Sequence, residues 1–175
     1  STDPVNGVRM FLMSTQTNYA TPKPEFYYRV VIQLVNASSL SGQSTVDLSY
    51  IPKYQTYFVT GLSIIRGDEI IDVRGKAIVR FNQLEAPIGS DQFESPKQVM
   101  IFIPGLRTGD TVDYSYIVRG TQEAFQDKIF GIFEHGAYIP VGRFYTRVLV
   151  PKGLKLNIFG INSPAEPERF DNAGG

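Results

Sequence analysis

The chain has 175 residues, 42% of them hydrophobic and 13% aromatic, which is enough apolar material for one globular core. Seventeen Lys and Arg balance seventeen Asp and Glu, and there is no cysteine. A formal charge of zero offers no basic footprint for nucleic acid. The missing thiols exclude disulfides, thiolate zinc sites, iron–sulfur clusters and a cysteine nucleophile within this chain.

Strand signals dominate from the start. Residues 8–13 predict an opening strand. Tyr27-Tyr28-Arg29-Val30-Val31-Ile32-Gln33-Leu34-Val35 follows, aromatic and β-branched almost throughout, and Asn36-Ala37-Ser38-Ser39 breaks it. The same texture predicts strands over residues 55–65, 69–73, 76–81, 99–103, 112–119, 144–150 and 154–161, each bounded by Gly, Pro, Asn, Asp or Ser. Ile64-Ile65-Arg66-Gly67-Asp68-Glu69-Ile70-Ile71 sets two apolar pairs around a Gly-Asp centre, a hairpin in which Gly supplies the positive φ. Gly105-Leu106-Arg107-Thr108-Gly109-Asp110 is a turn leading into the next strand, and Pro104 and Pro151 punctuate strand ends. Within 112–119, Val112, Tyr114, Tyr116 and Val118 alternate with Asp113, Ser115, Ile117 and Arg119, so the first set should face a core. Leu154, Leu156 and Ile158 repeat that alternation more weakly.

No convincing amphipathic helix is found. The apolar residues of 122–133 fit neither the strand nor the helix period, and Gly131 interrupts them. Thr21-Pro22-Lys23-Pro24 and residues 163–167 read as connectors. The expected fold is therefore all-β, an antiparallel, Greek-key-like sandwich with little or no helix. Residues 1–162 are expected to form a single domain and 163–175 a linker. No apolar run approaches the roughly 20 residues that span a bilayer. Ser1-Thr2-Asp3-Pro4 carries neither the basic nor the apolar part of a signal peptide. Asn172-Ala173-Gly174-Gly175 reads as the start of a linker, so the natural protein is expected to continue.

Groups that could carry chemistry are few. The one histidine, His135, has no Gly-x-Ser-x-Gly elbow or similar motif to serve, and it reads as a loop or strand-end residue. No His-x-x-x-His or EF-hand spacing marks a metal site. Asp68, Glu69 and Asp72 keep a hairpin solvated, Asp110 is a turn residue, and Asp113 lies on the polar strand face. No carboxylate pair is singled out for glycoside hydrolysis, and no glycine-rich loop leads into a helix to cradle phosphate. Arg66-Gly67-Asp68 spells an adhesion tripeptide, but the hairpin explains all three residues. Asn36-Ala37-Ser38 matches a glycosylation acceptor, which matters only in a eukaryotic secretory setting. Tyr27, Tyr28, Tyr50, Tyr54 and Tyr57 are too dense to be all buried. The expectation is no catalytic residue, no cofactor and no metal.

Three stretches together resemble a known family. They are Tyr28-Arg29-Val30-Val31-Ile32-Gln33-Leu34-Val35-Asn36, then Gly105-Leu106-Arg107-Thr108-Gly109-Asp110-Thr111-Val112-Asp113-Tyr114-Ser115-Tyr116, then Pro140-Val141-Gly142-Arg143-Phe144-Tyr145-Thr146-Arg147-Val148-Leu149-Val150-Pro151. They are similar to the domain of unknown function that precedes a transglutaminase-like, papain-like domain in exported bacterial proteins. The resemblance covers roughly residues 25–156, and the second stretch is its most specific part. It implies a β-sandwich, export to the periplasm or surface of a Gram-negative bacterium, and a transglutaminase-like module as C-terminal partner. No catalytic residue carries over, because that module's cysteine has no counterpart here. Gly109 and Asp110 would shape a turn, and Tyr114 and Tyr116 would fill the core.

The leading expectation is a non-catalytic accessory domain that binds protein or peptide substrate and positions its neighbour. A stand-alone hydrolase using an unrecognised carboxylate pair, and a carbohydrate-binding or adhesion module using surface tyrosines, are the alternatives.

Overall fold

The computed structural model describes residues 3–83, 96–120, 137, 139–159 and 166–170. Among them run nine strands: β1 (Val8–Asn18), β2 (Glu25–Leu34), β3 (Thr45–Tyr50), β4 (Thr56–Arg66), β5 (Glu69–Asp72), β6 (Ile78–Gln83), β7 (Lys97–Phe102), β8 (Thr111–Arg119) and β9 (Val141–Leu149). One short helix, α1 (Ala37–Gln43), and a 3-10 turn (Arg74–Lys76) interrupt them. The sheets are six-stranded, in the order β5-β4-β8-β2-β1-β9, and three-stranded, in the order β3-β7-β6.

The sheets pack into a sandwich because alternate residues of both turn inward. Val8, Ile32, Leu34, Leu62, Ile64 and Val112 of the large sheet meet Val46, Leu48, Val99 and Ile101 of the small one in a single buried cluster. Leu34 is fully buried and Val112 nearly so. The period-two reading of 112–119 holds for the core face: Val112 is buried, and Tyr114 and Tyr116 pack against the cluster. The opposite face is less uniformly solvated than its polarity suggests. A β-bulge lies between Val59 and Gly61, where β4 pairs β8. There Thr60 Oγ1 lies 2.8 Å from Ser115 Oγ, and Ser115 is buried.

The hairpin at Gly67 forms as expected, with Arg66 opposite Glu69 and Gly67 at φ 58°. Four features differ from the sequence reading. Asn36 starts a helix rather than a plain break, because its side chain accepts from the Ser39 N–H at 3.1 Å and from the Ser38 hydroxyl at 2.7 Å, a helix N-cap. β3 was not expected, although Val46 and Leu48 alternate with Asp47 and Ser49 as a half-buried strand should. β1 runs on past Met13 through Ser14, Thr15, Gln16 and Thr17. Residues 154–159 form no strand. Leu154, Ile158 and Phe159 are exposed, and in place of a strand partner the Leu154 N–H donates to Pro151 O and the Leu156 carbonyl accepts from Arg169.

Among the described residues every strand pairing is antiparallel except the last. β9 joins the sheet beside β1 in parallel, with Tyr145 opposite Ser14 and Arg147 opposite Gln16. No described helix is long and apolar enough to cross a membrane.

Candidate functional site: an aromatic cleft between the sheets

The two ends of the sandwich are packed differently. Around Val112, Leu34 and Ile64 the filling is aliphatic. Toward the other end of β2 and β8 it becomes aromatic. Tyr28 and Tyr116 are direct partners across these strands, and their rings stack with centroids 4.9 Å apart and planes 19° apart. Tyr57 leans on Tyr116 at 5.5 Å, and Tyr50 stands 6.4 Å from Tyr57. A cleft of about 320 Å³ opens beside them, with Phe26, Tyr28, Tyr116 and Val118 on one wall and Asp47, Leu48 and Ser49 of β3 on the other.

Gln55 completes the lining, and a local turn fixes it there. Ile51 O accepts from the Tyr54 and Gln55 N–H groups at 3.2 and 2.9 Å, while Gln55 Oε1 accepts from the Ile51 N–H at 2.9 Å. The cleft thus has an aromatic inner wall and a polar margin at Gln55 and at Asp47 and Ser49, which flank the buried Leu48 on β3. Burial pushes the Tyr28, Tyr57, Tyr114 and Tyr116 phenols up from their ordinary value, Tyr57 and Tyr116 furthest. These hydroxyls stay protonated at neutral pH, so they can donate hydrogen bonds but cannot act as phenolate bases. The Tyr57 hydroxyl is buried and has no hydrogen-bond partner among the described residues.

Three of the five carboxylates singled out in the sequence, Asp72, Asp110 and Asp113, are paired with arginines, and so is Glu25. Arg29 Nη2 reaches Asp113 Oδ2 at 2.6 Å, and Arg119 reaches Glu25 at 2.7 Å, both near the surface. Asp72 binds Arg74 through side chain and backbone, which lowers its carboxyl to about 2. Asp68 and Glu69 are exposed in the hairpin. Asp110 differs from all of these, being only 2% exposed. It takes Arg66 Nε and Nη2 at 2.8 and 2.7 Å and the Arg107 backbone N–H at 2.7 Å. Arg66 also donates to the Gly105 carbonyl, Leu34 N–H donates to Asp110 O, and Gly109 N–H donates to Leu34 O. One carboxylate therefore clips the β4–β5 hairpin and the β7–β8 turn onto the end of β2. The Arg66 guanidinium holds its carboxyl below the usual range.

His135 and residues 122–133 lie outside the described residues. Tyr27, Tyr28, Tyr50, Tyr54 and Tyr57 are all half-buried, as their density required, but only Tyr28 lines the cleft. Asn36 is occupied as a helix cap. No group of three or more His, Asp or Glu suited to a metal ion occurs among the described residues. The sequence reading missed Asp47, Ser49 and Gln55. The alternation in residues 45–50 was the available signal for the first two, and no signal marked Gln55.

The profile of the family described as a Domain of Unknown Function with solved-structure structure (DUF3857) matches residues 23–174. The chain belongs to this family. Its long second motif is architectural here: Asp110 is the clip, Gly109 turns at φ 94°, and Tyr114 and Tyr116 pack on the core. No curated protein matches the chain. Among solved structures it is similar to a candidate protease from Parabacteroides distasonis, at 15% identity and TM-score 0.55, over 67% of this chain and 24% of that one. At this identity the likeness is one of fold, and the domain spans about a quarter of that protein's length. A family 3a carbohydrate-binding module from the Clostridium thermocellum cellulosome scaffoldin gives TM-score 0.37 at 14% identity, over 67% of this chain and 70% of the module.

Proposed function

We propose that this is a non-catalytic accessory domain of a larger exported bacterial protein, one that holds a peptide or protein segment in its inter-sheet cleft and so positions a neighbouring transglutaminase-like or papain-like module. The periplasm or cell surface of a Gram-negative bacterium is the setting that goes with this reading, and no cofactor is required by it. The observation that carries it is the cleft. Its Tyr28 and Tyr116 wall suits an aromatic or aliphatic side chain, and β3, an edge strand at residues 47–49 of the margin, can hydrogen-bond the backbone that bears it. The commitment of Asp110, Asp113, Asp72 and Glu25 to arginine partners supports a structural rather than a reactive role for these carboxylates.

The test is a titration of the 15N-labelled domain with the separately expressed segment that follows it in the gene product. Amide shifts should concentrate at residues 47–49, 55 and 116–118. Val118 lines the cleft beside Tyr116, so Val118→Trp should occupy it and abolish the shifts, with the amide spectrum outside the cleft confirming that the domain stays folded. Absence of shifts, or shifts that survive Val118→Trp, would sink the proposal.

A further inference from the structure

Among the described residues the sandwich has four strand edges, and one of them differs from the rest. β9 ends the six-stranded sheet and pairs only with β1 among the described residues. It is nine residues long, whereas β5 at the opposite edge has four. A strand with one neighbour directs the N–H and C=O of every second residue to open space, a template for another strand. On its outer face stand Arg143, Tyr145 and Arg147, all exposed, with the Arg143 guanidinium 5.7 Å from the Tyr145 ring centroid. Neither arginine has a carboxylate partner among the described residues, whereas Arg29, Arg66, Arg74 and Arg119 each have one. Their nearest neighbours on β1 are Leu12 and Gln16, which are uncharged. The inner face of the same strand presents Phe144 and Val148, half-buried at the margin of the sandwich.

We infer that β9 is a docking edge for an extended acidic peptide, one that adds as a seventh strand and sets acidic side chains opposite Arg143 and Arg147. Two residues along a strand advance about 6.6 Å, so carboxylates four positions apart match the two arginines, and the alternate position between them faces Tyr145. The residues between them turn inward, and apolar ones there would extend the face of Phe144 and Val148. The required segment alternates acidic and apolar residues, and backbone pairing supplies affinity while the arginines supply selection. A second copy of this chain is a poor occupant. Antiparallel self-pairing centred on Tyr145 would set Arg143 of one copy against Arg147 of the other, a like-charge contact that disfavours association. This edge is distinct from the cleft, and the inference does not rest on it.

The probes are four synthetic heptapeptides titrated into the 15N-labelled domain: Thr-Glu-Val-Glu-Val-Glu-Thr, the same peptide with Lys for each Glu, and the Glu peptide N-methylated at its odd or at its even residues. The Glu peptide should shift amides of residues 141–149 and their neighbours on β1, and should weaken as salt rises. Arg143→Glu/Arg147→Glu lies on exposed positions and should lower its affinity at least tenfold at unchanged melting temperature. The Lys peptide and both N-methylated registers together should report whether charge and backbone pairing are each needed. Equal binding of the Lys peptide, equal binding of every N-methylated register, or shifts confined to residues 47–49 and 116–118 would overturn the inference. So would a response to polygalacturonate at β9 with none to the Glu peptide, since that would make the row a saccharide site.

Discussion

Asp110→Asn isolates the charge of the clip with almost no change of shape. The wild-type carboxylate accepts three hydrogen bonds, two from Arg66 and one from the Arg107 backbone. An amide can accept at only one oxygen, and its NH2 would face N–H donors. Hydrogen bonds to a buried charged group are worth about 1.5–3 kcal/mol each. The Arg66 side chain is 30% exposed and can turn to water, so the sum must be discounted. The expected loss is about 2–3 kcal/mol, or roughly 4–12 °C in Tm for a chain of this size. Asp113→Asn is the control. It removes the Arg29 pair, whose side chains are 44% and 22% exposed, and should cost under about 1 kcal/mol. Chemical denaturation at pH 7 measures both.

The same comparison has a pH signature. The Asp110 carboxyl lies below its ordinary value of 3.8 in the folded protein, so its contribution is fully present above 3.8 and disappears as pH falls through the lower folded value. The gap between wild type and Asp110→Asn should therefore be constant from pH 7 down to about 5 and narrow below about 4. A substitution that costs less than about 1 kcal/mol, or a gap that does not narrow in acid, would refute the clip as a charged tether.

Other consequences are as direct. Tyr57→Phe removes a buried hydroxyl without a partner among the described residues and should leave stability unchanged or raise it by up to about 1 kcal/mol in urea denaturation; a clear loss would mean that the hydroxyl is bonded. Gly120→Ala places a methyl group against the Tyr54 carbonyl at φ 106° and should cost about 3 kcal/mol or more, read as a fall in the denaturation midpoint. Asn36→Ala strips the cap of α1 and should cost about 1 kcal/mol, measured the same way, with amide exchange accelerating first over residues 37–43.

Periodicity and turn chemistry made most of the fold legible. Aromatic and β-branched runs bounded by Gly and Pro located β2, β4, β5, β6, β7, β8 and β9, because strand side chains repeat every two residues whatever they pack against. Gly67 announced its hairpin because positive φ is a local demand. Tyr114 and Tyr116 were identified as inward-facing for the same local reason. The family resemblance in residues 105–116 was legible too, since a turn and the strand after it are contiguous in the chain.

What required the tertiary structure is everything that joins distant segments. Asp110 looked like an ordinary turn residue, and nothing in its neighbourhood reveals that Arg66 closes on it across 44 positions. The same holds for the cleft: Tyr28 and Tyr116 are set together by strand register, and Asp47 and Ser49 reach them only because β3 belongs to the facing sheet. Residues 154–159 show the converse, an alternation with no edge to complete it. Local sequence dictates which face a side chain takes, whereas pairing and sheet stacking decide what that face meets.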